Sequence, residues 1–475
     1  MHSLIAKNNF KNVYLPLFHA ENVIVYTRYA HNTCSMKIQR DIIGQLRQWK
    51  DKKERKPILL KGARQTGKTW IMETFGKECF DYVATFNFDK TEELAGVFEK
   101  TKDIQRILKE LTLFTDVPIE PGKTLLIFDE IQACEGALNS LKYFCEDAPQ
   151  YHLIAAGSLL GVAIRKKKMS VPVGKVQIIQ TYPVTFKEFL RASDNQTYAY
   201  VNSMEQIEPL PEIIHHRLEV EYKRYLVCGG MPEAVTTLLG NEGMQAVENV
   251  LQHILDLYTL DFAKYAAPVD IPRINNLWKS LPSQLAKENR KFLYKVIKSG
   301  ARAREYEDAL LWLEEAGLIY RVFNVSKPGI PLSAYQDLSA FKVYAFDCGL
   351  LRRLARLSPE VILSCNAGYI EFKGALAENA ILQALVPQSD GLPYYWSSEN
   401  RAEVDFLLQQ GTIVIPVEVK AENRISGKSL SVYTSRFEPS LKIRYSMNNL
   451  KESDGLLSLP SYLADWTYKI TRSNL

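Results

Sequence analysis

The sequence predicts an α/β protein: a parallel sheet with helices on both faces, then a helical and winged-helix-like region, then a second α/β unit. Three observations carry this expectation. Short apolar strands alternate with helical patterns of 10–15 residues from Pro57 onward. A glycine-rich turn joins the first strand to the first helix. After Pro328-Gly329 the pattern changes to strands, a helix and a hairpin. The chain has 475 residues, which at roughly 150 per domain gives two to four domains. An apolar fraction of 46% and a charged fraction of 24% are those of an ordinary globular chain and exclude a disordered or fibrous one. The 59 Lys and Arg outnumber the 54 Asp and Glu by five, too few to mark a nucleic-acid binder by charge alone. The longest weakly polar stretch, Leu153 to Ile164, falls short of the roughly 20 residues a membrane-spanning helix needs.

The elements follow in order. Residues 1–35 show no period and read as an extension outside the core, whereas Met36 opens a helix with Ile38, Ile42, Ile43, Leu46 and Trp49 on one face. Strands are expected at Ile58–Leu60, Tyr82–Phe88, Leu125–Phe128, His152–Ala156 and Val176–Gln180. Helices are expected from Thr69, at Asp103–Leu113 and at Ala137–Phe144. Residues 191–270 read as a helical lid or linker, 271–330 as the winged-helix-like unit and 331–475 as the C-terminal domain, leaving 36–190 for the first sheet. The seven cysteines are scattered singly with no CxxC pair, which suits a reducing cytoplasm better than a disulfide framework or a zinc site.

The turn after the first strand is Gly62-Ala63-Arg64-Gln65-Thr66-Gly67-Lys68-Thr69, matching G-x-x-x-x-G-K-[ST]. Its glycines let backbone N–H groups curl around phosphate oxygens. Lys68 brings a charge to the β- and γ-phosphates, and the Thr69 hydroxyl is placed for Mg²⁺. About sixty residues on, Leu125-Leu126-Ile127-Phe128 ends in Asp129-Glu130. A strand of this kind is expected beside the phosphate-loop strand, with its end in the crevice of the sheet. Asp129 is then the second metal holder, through water, and Glu130 the group that orients or deprotonates the attacking water. Ser158, after the next strand, is either a sensor of the γ-phosphate or a helix cap. ATP with Mg²⁺ is the ligand pair this constellation calls for.

These motifs together resemble the prokaryotic AAA-type ATP-binding proteins that carry a C-terminal domain of unknown function. The matching residues are Gly62–Thr69, Phe128-Asp129-Glu130-Ile131-Gln132, Ala156-Gly157-Ser158, Tyr182 to Phe189, Gly229-Gly230-Met231-Pro232-Glu233, Val343 to Leu350, Glu403 to Phe406 and Val417 to Lys420. The resemblance covers the chain from about Met36 onward and implies ATP binding and hydrolysis. Members often carry Gly-Arg where this chain has Gly174-Lys175. A lysine lacks the planar fork of arginine, so hydrolysis is expected to be weaker if that position senses phosphate. Arg165 and Arg64 are the candidates for an arginine finger.

A short helix at Phe292–Ile297, a turn at Ser299-Gly300, a helix at Arg302–Ala316 and a strand at Leu318–Phe323 give the winged-helix order, with Gly317 as a left-handed cap. Glu305, Glu307, Asp308, Glu314 and Glu315 on the second helix are expected to repel phosphates, so DNA contact and a structural role both stand. In the last domain, Glu378 lies on a helix, Asp405 on the first strand of a hairpin, and Glu418 and Lys420 on one face of the second. This layout is similar to PD-(D/E)XK nucleases, a resemblance that implies a restriction-endonuclease-like domain. It leaves open either a second divalent metal with phosphodiester cleavage or a degenerate site neutralised by Lys420. Lys166-Lys167-Lys168 reads as a solvated loop or a nucleic-acid patch.

The expected function is an AAA-like ATPase driving its C-terminal region, with DNA or a protein as partner, no membrane, and an oligomer allowed. The alternative is a slow, nucleotide-dependent binding module whose nuclease-like domain is inactive and recruits the partner.

Overall fold

A computed structural model describes residues 38–167, 172, 174–287, 291–300, 302–364, 370–398, 402–421 and 428–472. The extension expected at residues 1–35 and the side chains of Lys166 to Lys168 lie outside the described residues.

The first sheet holds β1 (Ile58–Lys61), β2 (Tyr82–Asn87), β3 (Thr124–Asp129), β4 (His152–Ala156) and β5 (Gln177–Gln180). All its pairs are parallel, in the order β2-β3-β4-β1-β5. One expectation is corrected here: β3 does not lie beside the phosphate-loop strand, because β4 is inserted between β3 and β1. The consequence is chemical. The strand ending near Ser158 separates the loop from Asp129-Glu130, so all three meet at one crevice.

Helices α1 (Ile42–Lys50) and α2 (Lys68–Cys79) cover one face of this sheet through Leu46, Trp49, Ile71 and Phe75. Helices α3 (Leu94–Glu99), α4 (Ile104–Leu111) and α5 (Glu135–Asp147) cover the other, where Phe128 meets Phe86, Phe88, Phe98 and Phe144 edge to face. A strand buried on both faces reads as an unbroken apolar run, which is why Leu125–Phe128 shows no alternation. Helix α6 (Leu160–Lys167) follows β4. The sequence did not signal α3, whose six residues are too few to show a period.

The helical region comprises α7 (Phe186–Ser193), α8 (Asn195–Ser203), α9 (Glu212–Cys228), α10 (Pro232–Leu239), α11 (Met244–Tyr265), α12 (Ile271–Leu285), α13 (Tyr294–Ile297) and α14 (Ala303–Glu315). Thr185 and Glu188 close a capping box on α7. Gly317 caps α14 at φ +74°, with the Leu318 N–H reaching the Leu313 carbonyl at 3.0 Å.

Strands β6 (Ile319–Val325) and β7 (Gln336–Ala345) pair as an antiparallel hairpin, so the strand expected at Leu318–Phe323 forms no free-standing wing. Strand β6 also touches β8 (Tyr394–Ser398), at Asn324 and Tyr395, and so joins a second sheet of eight strands. That sheet continues with β9 (Ala402–Gln410), β10 (Ile413–Val419), β11 (Lys442–Ser446), β12 (Lys451–Ser453) and β13 (Leu456–Pro460). Its order is β12-β13-β11-β10-β9-β8-β6-β7, with parallel and antiparallel pairs. Helices α15 (Cys348–Leu354), α16 (Pro359–Leu363), α17 (Ile370–Leu385), α18 (Lys428–Phe437) and α19 (Thr467–Arg472) pack around it. One apolar cluster runs from Val184 in the helical region through Trp312 and Tyr344 to Trp466.

Candidate functional site

The loop between β1 and α2 is built by backbone conformations that a side chain would obstruct. Gly67 sits at φ +85° as the N-cap of α2, and a Cβ on Gly62 would lie 2.1 Å from the Thr181 hydroxyl. Thr66 donates to the Ala63 carbonyl at 2.9 Å, and Thr181 donates to the Lys61 carbonyl at 3.1 Å. Arg40, buried and unsignalled by the sequence, ties the loop down from outside. Its guanidinium donates to the carbonyls of Thr66 (3.2 Å) and Tyr182 (2.7 Å), and pairs with Glu188 at 3.1 Å.

Lys68 is 8% exposed, and its ammonium donates to the carbonyls of Gly62 (3.0 Å) and Ala63 (2.7 Å). Burial pushes its pKa down to about 8, against the pull of Glu130 and Asp129. The Thr69 hydroxyl donates to Asp129 Oδ2 at 2.9 Å. Asn87, opposite Asp129 on β2, donates to the same oxygen at 3.4 Å. Burial raises the Asp129 carboxyl, and the Thr69 hydrogen bond counteracts it. Glu130 follows with a left-handed backbone, φ +51° and ψ +41°, a strained geometry for a glutamate. Its Oε2 accepts from the Ser158 hydroxyl at 2.7 Å and from the Gln132 amide.

The structure therefore brings Lys68, Thr69, Asp129, Glu130 and Ser158 to one crevice. Thr69 and Asp129 offer two hard oxygen donors at the start of α2, and this set fits Mg²⁺ held partly by phosphate and water. The sequence signalled neither Arg40 nor Asn87. A polar residue ending β2 level with Asp129 was the readable sign for Asn87.

Neither arginine-finger candidate is free. Arg64 pairs with Asp261 of α11, and the Tyr258 hydroxyl donates to the Arg64 carbonyl at 2.9 Å. Arg165 pairs with Glu315 at 3.3 Å and lies 4.0 Å from Asp308. Lys175 is on Glu146 at 2.7 Å.

The helical region closes over the loop. A Cβ on Gly67 would lie 3.6 Å from Pro232, and one on Gly317 would lie 3.2 Å from the Ala63 nitrogen. Gly229-Gly230 in turn docks on Asp347-Cys348-Gly349. Asp347, fully buried, accepts from Gly230 N at 2.6 Å, Leu350 N at 2.9 Å and the Gln383 amide at 3.2 Å.

In the second sheet, Glu418 pairs with Lys420 at 3.0 Å and with Arg444 at 3.1 Å. Asp405 accepts from Val419 N at 2.8 Å, and Glu378 accepts from the Tyr344 hydroxyl at 3.2 Å. Among the described residues no three of His, Cys, Asp and Glu gather as a metal would require. The set does not fit the second divalent ion that the sequence allowed. Arg444, which the sequence did not signal, adds a second cation to a carboxylate that Lys420 already neutralises.

Residues 54–190 match the family described as AAA domain. They hold the phosphate loop and the parallel sheet with helices on both faces. Two families, each described as a domain of unknown function (DUF8612 and DUF4143), match residues 219–361 and 373–462. No curated protein matches the sequence. Among solved structures, the Walker-type ATPase of Pyrococcus abyssi is similar at 13% identity and a TM-score of 0.43, over 67% of this chain and 96% of that one. The Aeropyrum pernix ORC2 protein, in ADPNP-ADP complexes, is similar at 13% identity and a TM-score of 0.33, over 68% and 91%. The Aeropyrum pernix ORC1 protein in complex with DNA gives 13% and 0.23, over 66% and 91%. No helix among the described residues is long and apolar enough to cross a membrane.

Proposed function

We propose that the protein is an ATPase whose nucleotide state is passed to its helical and C-terminal regions. The observation that carries this is the pairing of Thr69 with Asp129 beside a Glu130 held by Ser158. On binding, the phosphates take Lys68 from the Gly62 and Ala63 carbonyls. Thr69 and Asp129 would hold Mg²⁺, which would supply charge neutralisation at the phosphates. Glu130 orients the attacking water and takes its proton. The contacts of Pro232 on Gly67 and of Asp261 on Arg64 support a route from the loop to the helices. Gly230 on Asp347 supports its continuation to the second sheet. Equilibrium binding tests the site. Lys68→Ala is expected to lose ATP binding, and Asp129→Asn to lose the Mg²⁺ dependence of affinity. Full binding by Lys68→Ala would contradict it.

A second reading, duplex DNA as partner, is favoured by the pairing of the α14 acids. Glu307 and Glu314 are paired with Arg321 at 2.8 and 2.7 Å, and Glu315 and Asp308 face Arg165. The repulsion expected from them is therefore reduced, while Lys295, Lys298, Arg302 and Arg304 stay exposed. Removing one cation that neutralises a phosphate should flatten the salt dependence of affinity by about one unit of log–log slope. Arg302→Glu with Arg304→Glu removes two and should flatten the slope by about two units in an anisotropy titration; an unchanged slope would remove this surface from the reading. The C-terminal domain then acts by recognition and not by cleavage. The order helix, three-strand meander, helix, parallel strand supports a nuclease-like origin for it.

A further inference from the structure

Two residues beyond Glu130, on a short 3-10 turn at Ile131–Ala133, Gln132 folds its side chain back onto the carboxylate. Its Nε2 donates to Glu130 Oε2, the same oxygen that takes the Ser158 hydroxyl. Among the described residues no hydrogen bond falls on Oε1 of Glu130. The amide has one sensible orientation, since turned over it would set its own oxygen against the carboxylate. That orientation leaves Gln132 Oε1 buried and without a partner. An orphaned acceptor costs free energy, so the bond to Glu130 is held against a penalty.

The space for this amide is made by Gly157. A Cβ there would lie 2.4 Å from Gln132 Oε1, whereas the next side chain, Leu160, would be 3.5 Å away. The backbone of Gly157 is not left-handed, so an alanine is allowed in every respect except the one contact. The need for glycine in Ala156-Gly157-Ser158 is thus the need to admit the Gln132 side chain.

We propose that Gln132 is a positioning residue for the hydrolytic water. Gln132 and Ser158 grip Oε2 from two sides, fix the carboxylate plane, and leave Oε1 to accept the proton of the water. The inference rests on the reading of Glu130 as the base.

The test is steady-state phosphate release at saturating Mg-ATP, with ATP affinity measured alongside. Gln132→Ala, Gly157→Ala, the double variant and Glu130→Gln are compared with the parent. Loss of one charge-assisted hydrogen bond predicts a fall in kcat of about ten-fold for Gln132→Ala. ATP affinity should be unchanged, so the loss falls on kcat alone. Gly157→Ala should lower kcat likewise at unchanged affinity, and the double variant should be no slower than Gln132→Ala, because both changes remove the same bond. A parental kcat in Gln132→Ala, with Glu130→Gln inactive, would overturn the positioning role and leave the base in place. Lost ATP binding in Gln132→Ala would make the residue structural and overturn it too. Hydrolysis by Glu130→Gln at the parental rate, or none by the parent, would overturn the base and this inference together.

Discussion

In the proposed site, Lys68 is the residue whose state ATP would change most. Buried against carbonyls, its pKa lies at about 8. Phosphate oxygens favour the ammonium, so bound Lys68 titrates higher than free Lys68. Binding then takes up a proton above pH 8, and affinity must fall as pH rises. Between pH 7 and pH 9 the ATP dissociation constant should rise about ten-fold by this linkage. Calorimetry in buffers of different ionisation enthalpy would report the proton, and Lys68→Arg, whose guanidinium stays charged, should flatten the dependence. A flat profile in the parent would mean that Lys68 is fully charged before ATP arrives. Most of this site was legible at the level of single residues, because phosphate chemistry demands few residue types at fixed spacing. Gly62–Thr69 and Asp129-Glu130 announce themselves. Arg40 does not, since a buried arginine serving carbonyls looks like any surface arginine until the fold closes on it. Gln132 stood within a motif, yet its contact depends on a left-handed Glu130 that no spacing reveals.

At the scale of elements, the end of α9 packs backbone to backbone on the start of α15. A Cβ on Gly349 would lie 2.4 Å from the Cys228 carbonyl oxygen and 2.5 Å from the Gly229 nitrogen. Gly349→Ala should therefore cost about 1–3 kcal/mol or more as overpacking against backbone that cannot yield. Asp347→Ala leaves the Gly230 and Leu350 N–H groups and the Gln383 amide short of an acceptor, and should cost roughly 3 kcal/mol. Urea denaturation measures both. Parental midpoints would show that the joint opens freely. Strands β1 to β5 and the β9–β10 hairpin were readable from apolar runs and from the Gly411 turn. The insertion of β4 beside β1 was not, because pairing order in a parallel sheet leaves no mark on any one strand. Nor was the fusion of β6–β7 to the second sheet, which rests on the contact of Asn324 with Tyr395.

Across the whole molecule, among the described residues, three elements from the helical region meet the phosphate loop. They are α11 through Asp261 and Tyr258, α10 through Pro232, and the end of α14 at Gly317. Mg-ATP should therefore slow amide exchange in the last turns of α11, and Asp261→Ala should reduce that protection several-fold at unchanged loop sequence. Exchange in α11 that ignores ATP would separate the helices from the site. The proposed division of labour, in which Lys68 binds and Glu130 acts only on water, is tested most directly by phosphate release. The measurement is the rate for Glu130→Gln at saturating Mg-ATP against the parent, on protein shown to bind ATP with parental affinity. A positioned base predicts a loss of ~10²-fold or more with binding intact. A Glu130→Gln protein that turns over ATP at the parental rate would contradict it.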